Sequence, residues 1–224
     1  GLSSLMFLSR YIINNKDQSI LLIEKDANKN INQTFCVWQG PGLIDIKNTY
    51  NLKPKHVWSK VEVSNEGLNI QRDISPYSYE CFDGKETLSK LLSQCKKNIT
   101  YRKGFDVKKI KNNKNLIEVV TNEETIHTKF IVDSRNKISK KQYDSPPNLK
   151  QVFVGNEILS SKDQFNPEII KLMSFKKNRK DVEFTYTLPF SRRHALIETT
   201  LFSKSSSFVS IKKIHNESLS KYKK

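Results

Sequence analysis

The chain has 224 residues and a formal net charge of +16, from 39 Lys+Arg against 23 Asp+Glu. With 36% hydrophobic residues, 12 Phe, 8 Tyr and only 7 Gly and 7 Pro, it is too apolar for a disordered tail and too poor in Gly and Pro for a collagen-like chain. The length fits one or two domains with a sizeable core, and Cys36, Cys81 and Cys95, odd in number and without CxxC spacing, exclude a disulfide scaffold and predict reduced thiols in a cytosolic compartment.

Leu2, Leu5, Met6, Leu8, Ser9, Ile12 and Ile13 recur at helical spacing and predict an opening helix. Asn14-Asn-Lys-Asp17 reads as a turn, and Ser19-Ile-Leu-Leu-Ile-Glu24 as a short strand buried on both faces, as in a parallel sheet. Residues 31–63 read as irregular to extended, with a turn at Gln39-Gly-Pro-Gly42 and alternation around Val57–Val63. Asp73–Tyr79 reads as a polar and aromatic loop. Asp83 is placed to cap a helix running to Gln94, with Leu88, Leu91, Leu92 and Cys95 on one side. Ile99–Ile110, Leu116–Thr121 and Thr125–Val132 read as three strands. Beyond the break at Pro146-Pro147 come Gln151–Leu159, a helical or loop stretch near Asn166–Ser174, and strong strands at Val182–Pro189 and His194–Ser203. A basic helix over Phe208–Tyr222 closes the chain. Helix–strand alternation at the front and a strand-rich second part predict an α/β fold with an inserted antiparallel sheet. The expected organisation is a nucleotide-binding βαβ region over 1–64, its helix and strands over 65–145, and a substrate domain over 146–224.

The charge makes the surface attractive to anions. The basic runs are dispersed and lack the aromatic interleaving of single-strand binders, so no nucleic-acid partner is expected. No run of about 18 uncharged apolar residues is present, and residues 1–14 lack the basic start and small-residue cleavage site of a secretory leader. His56, His127, His194 and His215 show no metal-ligand spacing, and no metal is predicted.

At the front, a glycine opens a helix, a strand follows, and Glu24 lies 23 positions after Gly1. In a dinucleotide-binding unit, helix-start amides meet the pyrophosphate and an acid about 20 residues on takes the ribose hydroxyls. Gly1 and Leu2 are the candidate pyrophosphate contacts and Glu24 the candidate ribose acceptor. Gly1 would then be the last glycine of GxGxxG, so the first strand and two glycines are expected to be missing.

An ordered set of segments resembles the flavin-linked lycopene cyclase family. It comprises Asn32-Gln-Thr-Phe-Cys-Val-Trp38, His56-Val-Trp58, Pro76-Tyr77, Asp133-Ser-Arg135 and Gln151-Val-Phe-Val-Gly155. It continues with Leu172-Met-Ser-Phe175, Leu188-Pro-Phe-Ser191, Ala195-Leu-Ile-Glu-Thr-Thr200 and Phe202-Ser203. Asn136 stands where the family's DSRG element has glycine, and Ser174 where Asp is common. The resemblance implies a Rossmann-like FAD-binding flavoprotein fold with an antiparallel substrate sheet, truncated at both ends. It implies cyclisation of the ends of lycopene to β-rings by a non-redox isomerisation with reduced FAD, NAD(P)H being a candidate reductant. Another flavoenzyme of the same fold (an aromatic hydroxylase or a prenyl-lipid reductase) and a basic, non-catalytic membrane-binding remnant are the alternatives.

That chemistry needs a positioned acid in a dry cavity, because a carboxyl group among apolar walls stays protonated and can donate. Glu198 is the candidate catalytic acid: it is the one charge inside an apolar strand and falls in the family's acid motif. The resemblance implies cofactor contacts at Asp133 and Arg135, and Trp38, Trp58, Tyr77, Pro189 and Phe190 as substrate-lining residues. A bilayer-dissolved substrate implies a cytoplasmic enzyme peripheral at the membrane. Phe208, Val209, Ile211, Ile214 and Leu219 between lysines of the last helix are offered to anionic lipid.

Overall fold

A computed structural model describes residues 2–15, 17–26, 34–95, 97–135, 149–177, 181–204, 208–220 and 222; the side chains of 2–4, 13–14 and 208–209 are not described. The chain forms two compact units whose segments interleave. One comprises Gly1–Cys36, Asp45–Lys55 and Cys81–Lys137, the other Val37–Ile44, His56–Glu80 and Ile138–Lys224. The three consecutive domains expected from the sequence do not coincide with them. Local turn signals mark where the chain bends, but the units are set by pairing between segments far apart in sequence.

In the first unit, helix α1 (Leu2–Asn14) leads into strand β1 (Ile20–Glu24). Strand β1 pairs in parallel with β7 (Ile99–Lys103), in register from Ile20 opposite Ile99 to Glu24 opposite Lys103. The parallel pairing is as expected, although β1 is half-buried along its length rather than sealed on both faces. Helix α3 (Gly84–Gln94) packs on α1. The Asp83 side chain caps α3 by accepting from the Glu86 amide at 2.8 Å. Leu5, Met6 and Ile12 of α1, Leu91 of α3, and Phe82 and Cys95 are all buried, as is Tyr50 of the short helix α2 (Ile46–Tyr50). Each such side chain contributes roughly 1.5–3 kcal/mol by leaving water.

A meander of β8 (Val107–Asn113), β9 (Leu116–Thr121) and β10 (Thr125–Thr128) completes this unit. The single strand expected over Ile99–Ile110 is two, because Gly104 at φ +85° turns the chain between β7 and β8. Phe130–Asp133, expected as the end of a strand, is not one: among the described residues no strand pairs with it, and Phe130 is 70% exposed.

In the second unit, a six-stranded sheet runs in the order β11–β14–β13–β12–β4–β5. Its strands are β4 (Lys60–Asn65), β5 (Leu68–Asp73), β11 (Lys150–Leu159), β12 (Ile169–Lys176), β13 (Val182–Pro189) and β14 (His194–Ser203). All neighbours are antiparallel except β12 and β4. Strand β12 occupies the stretch expected to be helix or loop. Ile169-Ile-Lys-Leu-Met-Ser-Phe lacks clean alternation because a bulge between Lys171 and Ser174 shifts its register against β13.

Short strands β2 (Thr34–Gln39), β3 (His56–Trp58) and β6 (Ser78–Asp83) form a further sheet, β2–β6–β3. Helix α2 lies in the stretch expected to be irregular to extended, β6 begins inside the expected loop Asp73–Tyr79, and β5 lies between the stretches to which the sequence assigned a structure; each is too short to show a full period.

One face of β14 is sealed by the last helix, α4 (Phe208–Ser220). Ala195 and Ile197 of the strand and Leu219 of the helix form a core that also takes in Ile158, Phe165 and Tyr222. The strands expected at Val182–Pro189 and His194–Ser203 and the closing helix are all present.

Candidate functional site

Glu198 lies on β14 between β11 and β13, so its strand is interior, not an edge. It stands opposite Gly155 on β11 and Tyr186 on β13. Alternation sends Ala195, Ile197 and Thr199 to the face covered by α4, where all three are fully buried. Leu196, Glu198 and Thr200 therefore share the other face with Tyr186. Gly155 leaves space beside the acid: a Cβ there would meet the Glu198 Cβ at 3.5 Å. The carboxyl group is half-buried, and burial pushes its pKa above the usual carboxylate value against a weaker lowering by Thr200. The Thr200 hydroxyl donates to Glu198 Oε1 at 3.2 Å.

Around the acid's cross-strand neighbour runs a chain of aromatic rings. The Tyr186 hydroxyl donates to the Tyr79 hydroxyl at 2.7 Å, with the rings edge-to-face at 6.4 Å. Tyr79 meets Trp38 edge-to-face at 4.8 Å and Trp58 at 6.4 Å. Trp58 lies 6.2 Å from Phe190 and 4.4 Å from His56, and Phe190 lies 5.1 Å from His194. Trp58 is 1% exposed and its indole N–H donates to the Pro167 carbonyl at 3.0 Å. Trp38, at 44% exposed, is the solvent end of the chain.

The expected lining residues are not equivalent. Trp38, Trp58 and Phe190 belong to the ring chain, but Tyr77 does not. It is 44% exposed and its ring covers Gly40, where a Cβ would sit 2.4 Å from Tyr77 Cδ1. Pro189 alternates to the opposite face from Glu198 and Tyr186. There it lines a separate cavity of about 220 Å³ with Glu62, Gln71, Lys171 and Tyr222. The sequence offers no sign of Tyr79 or Tyr186, because a tyrosine's value here depends on strand register, and Tyr79 falls in the stretch expected to be loop.

In the other unit, Glu24 ends β1 opposite Lys103, with its backbone carbonyl accepting from the Phe105 amide at 3.1 Å. Gly1 lies outside the described residues, and Leu2 starts α1 without a described side chain. Asp133 and Arg135 are bound to each other. The guanidinium donates to both carboxylate oxygens at 2.8 and 2.7 Å, and also to the Val107 carbonyl at 2.6 Å. This pair pins the chain to the start of β8. Among the described residues, no group of His, Cys, Asp or Glu is arranged to hold a metal.

Helix α4 turns its apolar side inward: Ile211 is 0% and Leu219 5% exposed. Those two side chains, expected to meet lipid, are committed to the protein, and Lys212 and Lys213 remain exposed. Phe208 and Val209 lie outside the described side chains. Among the described residues, no helix is long and apolar enough to cross a membrane.

Residues 1–222 match the sequence model of the family described as "Lycopene cyclase protein". No curated protein sequence matches the chain. Among solved structures, tetracycline destructase Tet(51) is 11% identical with a TM-score of 0.58, the match covering 98% of this chain and 60% of that one. Halogenase PltM is 11% identical with a TM-score of 0.63, covering 99% and 54%. CtdE, solved in complex with FAD, is 12% identical with a TM-score of 0.55, covering 93% and 58%. At such identities the likeness is one of fold, a mixed α/β architecture. The chain spans little more than half the length of these structures.

Proposed function

Because the chain belongs to the lycopene cyclase family, we propose that it carries out acid-catalysed cyclisation of the ends of linear lycopene to β-rings, a non-redox isomerisation with reduced FAD. The observation that carries this reading is Glu198: an acid on an interior strand, its proton held more tightly by burial, with an aromatic wall beside it. Glu198 gives a proton to a terminal alkene of the polyene, the resulting cation closes the ring, and the ring carbon returns a proton to the Glu198 carboxylate. Atoms and electrons balance, with no net oxidation.

The residues present fit part of an FAD site. A carboxylate at the carboxyl end of a parallel strand, after a helix, suits ribose hydroxyls, and Glu24 has that position. Asp133 and Arg135 fit less well as direct contacts, since they are consumed in their own pair. Reduced FAD, when bound, would supply electron density to the reaction. Electron supply to it from NAD(P)H belongs to the same reading.

The substrate resides in lipid, so the enzyme would work at a membrane surface on the cytoplasmic side. With Ile211 and Leu219 turned inward, attraction would come from lysines, at about 1 kcal/mol per basic residue near an anionic surface.

The test is to supply the chain with lycopene and anaerobically reduced FAD and to analyse products. Ring formation is expected, and Glu198→Gln should lower it by about 100-fold or more with FAD binding unchanged. Undiminished cyclisation by the variant would overturn the assignment, and absence of rings from the parent would overturn the activity. A product that gains oxygen would favour another flavin-dependent reaction on this fold.

A further inference from the structure

Cyclisation through a carbocation raises a question that a lone acid does not answer: what faces the positive charge once the proton has moved. Glu198 becomes an anion on donating, but it sits at only one point of the wall. Its direct cross-strand neighbour is Tyr186, and residues opposite each other on one face have Cβ atoms about 5 Å apart. From Tyr186 the rings continue without a gap through Tyr79 to Trp38 and Trp58. Ring faces attract cations, tryptophan most strongly.

We propose that Tyr186, Tyr79 and Trp38, backed by the buried Trp58, form a cation-accepting wall, so that the site selects ligands carrying a positive charge on an apolar chain. This rests on Glu198 being the proton donor of the proposed function, and it adds residues to that reaction. Tyr186 and Tyr79 are positioning residues for each other. Their hydroxyl–hydroxyl bond of 2.7 Å fixes the two rings edge-to-face. Tyr79 in turn braces both indoles.

Competing charges are accounted for. The protein's +16 net charge opposes cation binding, so a preference for cations cannot come from the overall field. On the same face Glu157 is engaged by His194 at 2.9 Å. Glu80, buried one position after Tyr79 on β6, shares the Ser78 side of that strand and accepts from the Ser78 hydroxyl at 3.2 Å, and Glu198 is removed by substitution in the test.

The chain contains two tryptophans, Trp38 in the wall and Trp58 behind it, both against Tyr79, so intrinsic tryptophan fluorescence reports on this site. The probes are dodecyltrimethylammonium and neutral dodecanol, titrated below micelle formation into the full chain carrying Glu198→Gln. The ammonium is expected to bind roughly fivefold to thirtyfold more tightly than the alcohol, the fold-change equivalent of about 1–2 kcal/mol of cation–π attraction. Adding Tyr186→Leu should reduce that ratio to within about twofold of unity. Tyr186→Phe should keep it, because the ring and not the hydroxyl meets the charge. Far-ultraviolet circular dichroism checks that each variant is folded.

Equal affinity for the two probes would overturn the proposal. So would an ammonium preference that survives Tyr186→Leu, or one that Tyr186→Phe and Tyr186→Leu abolish alike. Ring formation from lycopene without an ammonium preference would sink this inference and leave the cyclase reading intact. An ammonium preference without ring formation would do the reverse.

Discussion

Replacing His215 with Phe should destabilise the second unit by about 2–3 kcal/mol at neutral pH, mainly through one orphaned hydroxyl. The imidazole lies between α4 and the sheet at 0% exposure. It is bonded to the Thr199 hydroxyl through Nδ1 at 2.9 Å and to Asn156 Oδ1 through Nε2 at 3.0 Å. One neutral tautomer satisfies both, with Nε2–H donating and Nδ1 accepting. Phenylalanine fills the space but makes neither bond. Thr199, also 0% exposed, would be left without its partner, at a cost of roughly 1–3 kcal/mol. Asn156 is exposed and can turn to water, so its loss is smaller, about 0.5–1 kcal/mol.

For a chain of this length that corresponds to a fall in Tm of roughly 4–12 °C. Burial and then the nearby Lys176 ammonium hold the imidazole below its ordinary 6.5. Lys176 is itself engaged by Glu183 at 3.0 Å and Ser218 at 2.6 Å. The unfolded chain therefore binds a proton more readily than the folded one. The group's contribution to stability is present above about pH 6.5 and is lost as the pH falls toward the lowered native value. Urea unfolding followed by circular dichroism at pH 7.5 and pH 5 checks both parts. The advantage of the parent over His215→Phe should shrink in acid. Equal stability of the two at pH 7.5, or a difference that does not change with pH, would refute the reasoning.

Four further outcomes are expected. Glu198 has its pKa raised by burial, so its ionisation strains the native state as the pH climbs from about 4.5 through the raised value. Glu198→Gln should consequently stabilise the protein at pH 8 relative to pH 4, and a variant with no pH-dependent gain would show the acid to be well solvated. Gly40→Ala should displace the Tyr77 ring, because the new Cβ would lie 2.4 Å from Cδ1 and the backbone φ of +149° is strained for a side chain; a cost of about 1–3 kcal/mol is expected in chemical denaturation. Asp83→Ala removes the cap of α3 and should cost about 0.5–2 kcal/mol by the same measurement, with Asp83→Asn close to the parent. For Glu62, burial raises the pKa but is outweighed by hydrogen bonds from Gln71 and Lys171, so its folded value is lowered. Lys171→Met should therefore destabilise the protein most at pH 7, with the difference shrinking as the pH falls from about 4.5 toward the lowered folded value and the carboxyl takes up its proton.

What could be read from the sequence was what is local or two-fold periodic. The cap at Asp83, the end of α3 and the strands around Tyr186 and Glu198 all follow from side chains within a few positions of one another. Glu198 was legible because a charge inside Ala-Leu-Ile-Glu-Thr-Thr needs a reason to be there. What was hidden depends on partners distant in the chain. Strand β12 defeats pattern reading because its parallel contact with β4 and its bulge against β13 each break the alternation. Phe130–Asp133 fails in the opposite sense: it has the composition of a strand, but a strand forms only where another backbone satisfies its amides.

The same distinction separates the two halves of the candidate chemistry. Alternation alone assigns Glu198 to the face opposite Ile197 and Thr199, so the acid can be found from one strand. Tyr186 acquires its meaning only when Thr187 is known to pair with Ile197 and Tyr186 with Glu198, and Tyr79 only when its hydroxyl is seen to accept from Tyr186 across 107 residues of chain. A proton donor is a property of one residue's surroundings, whereas a wall that accepts a cation is a property of register. A one-residue slip between β13 and β14 would leave the acid in place, since α4 holds β14 through His215 and Leu219. It would turn Tyr186 to the covered face and set Thr185 or Thr187 beside Glu198. The register of that hairpin, rather than the presence of the acid, thus decides whether a cation formed at Glu198 meets an aromatic ring.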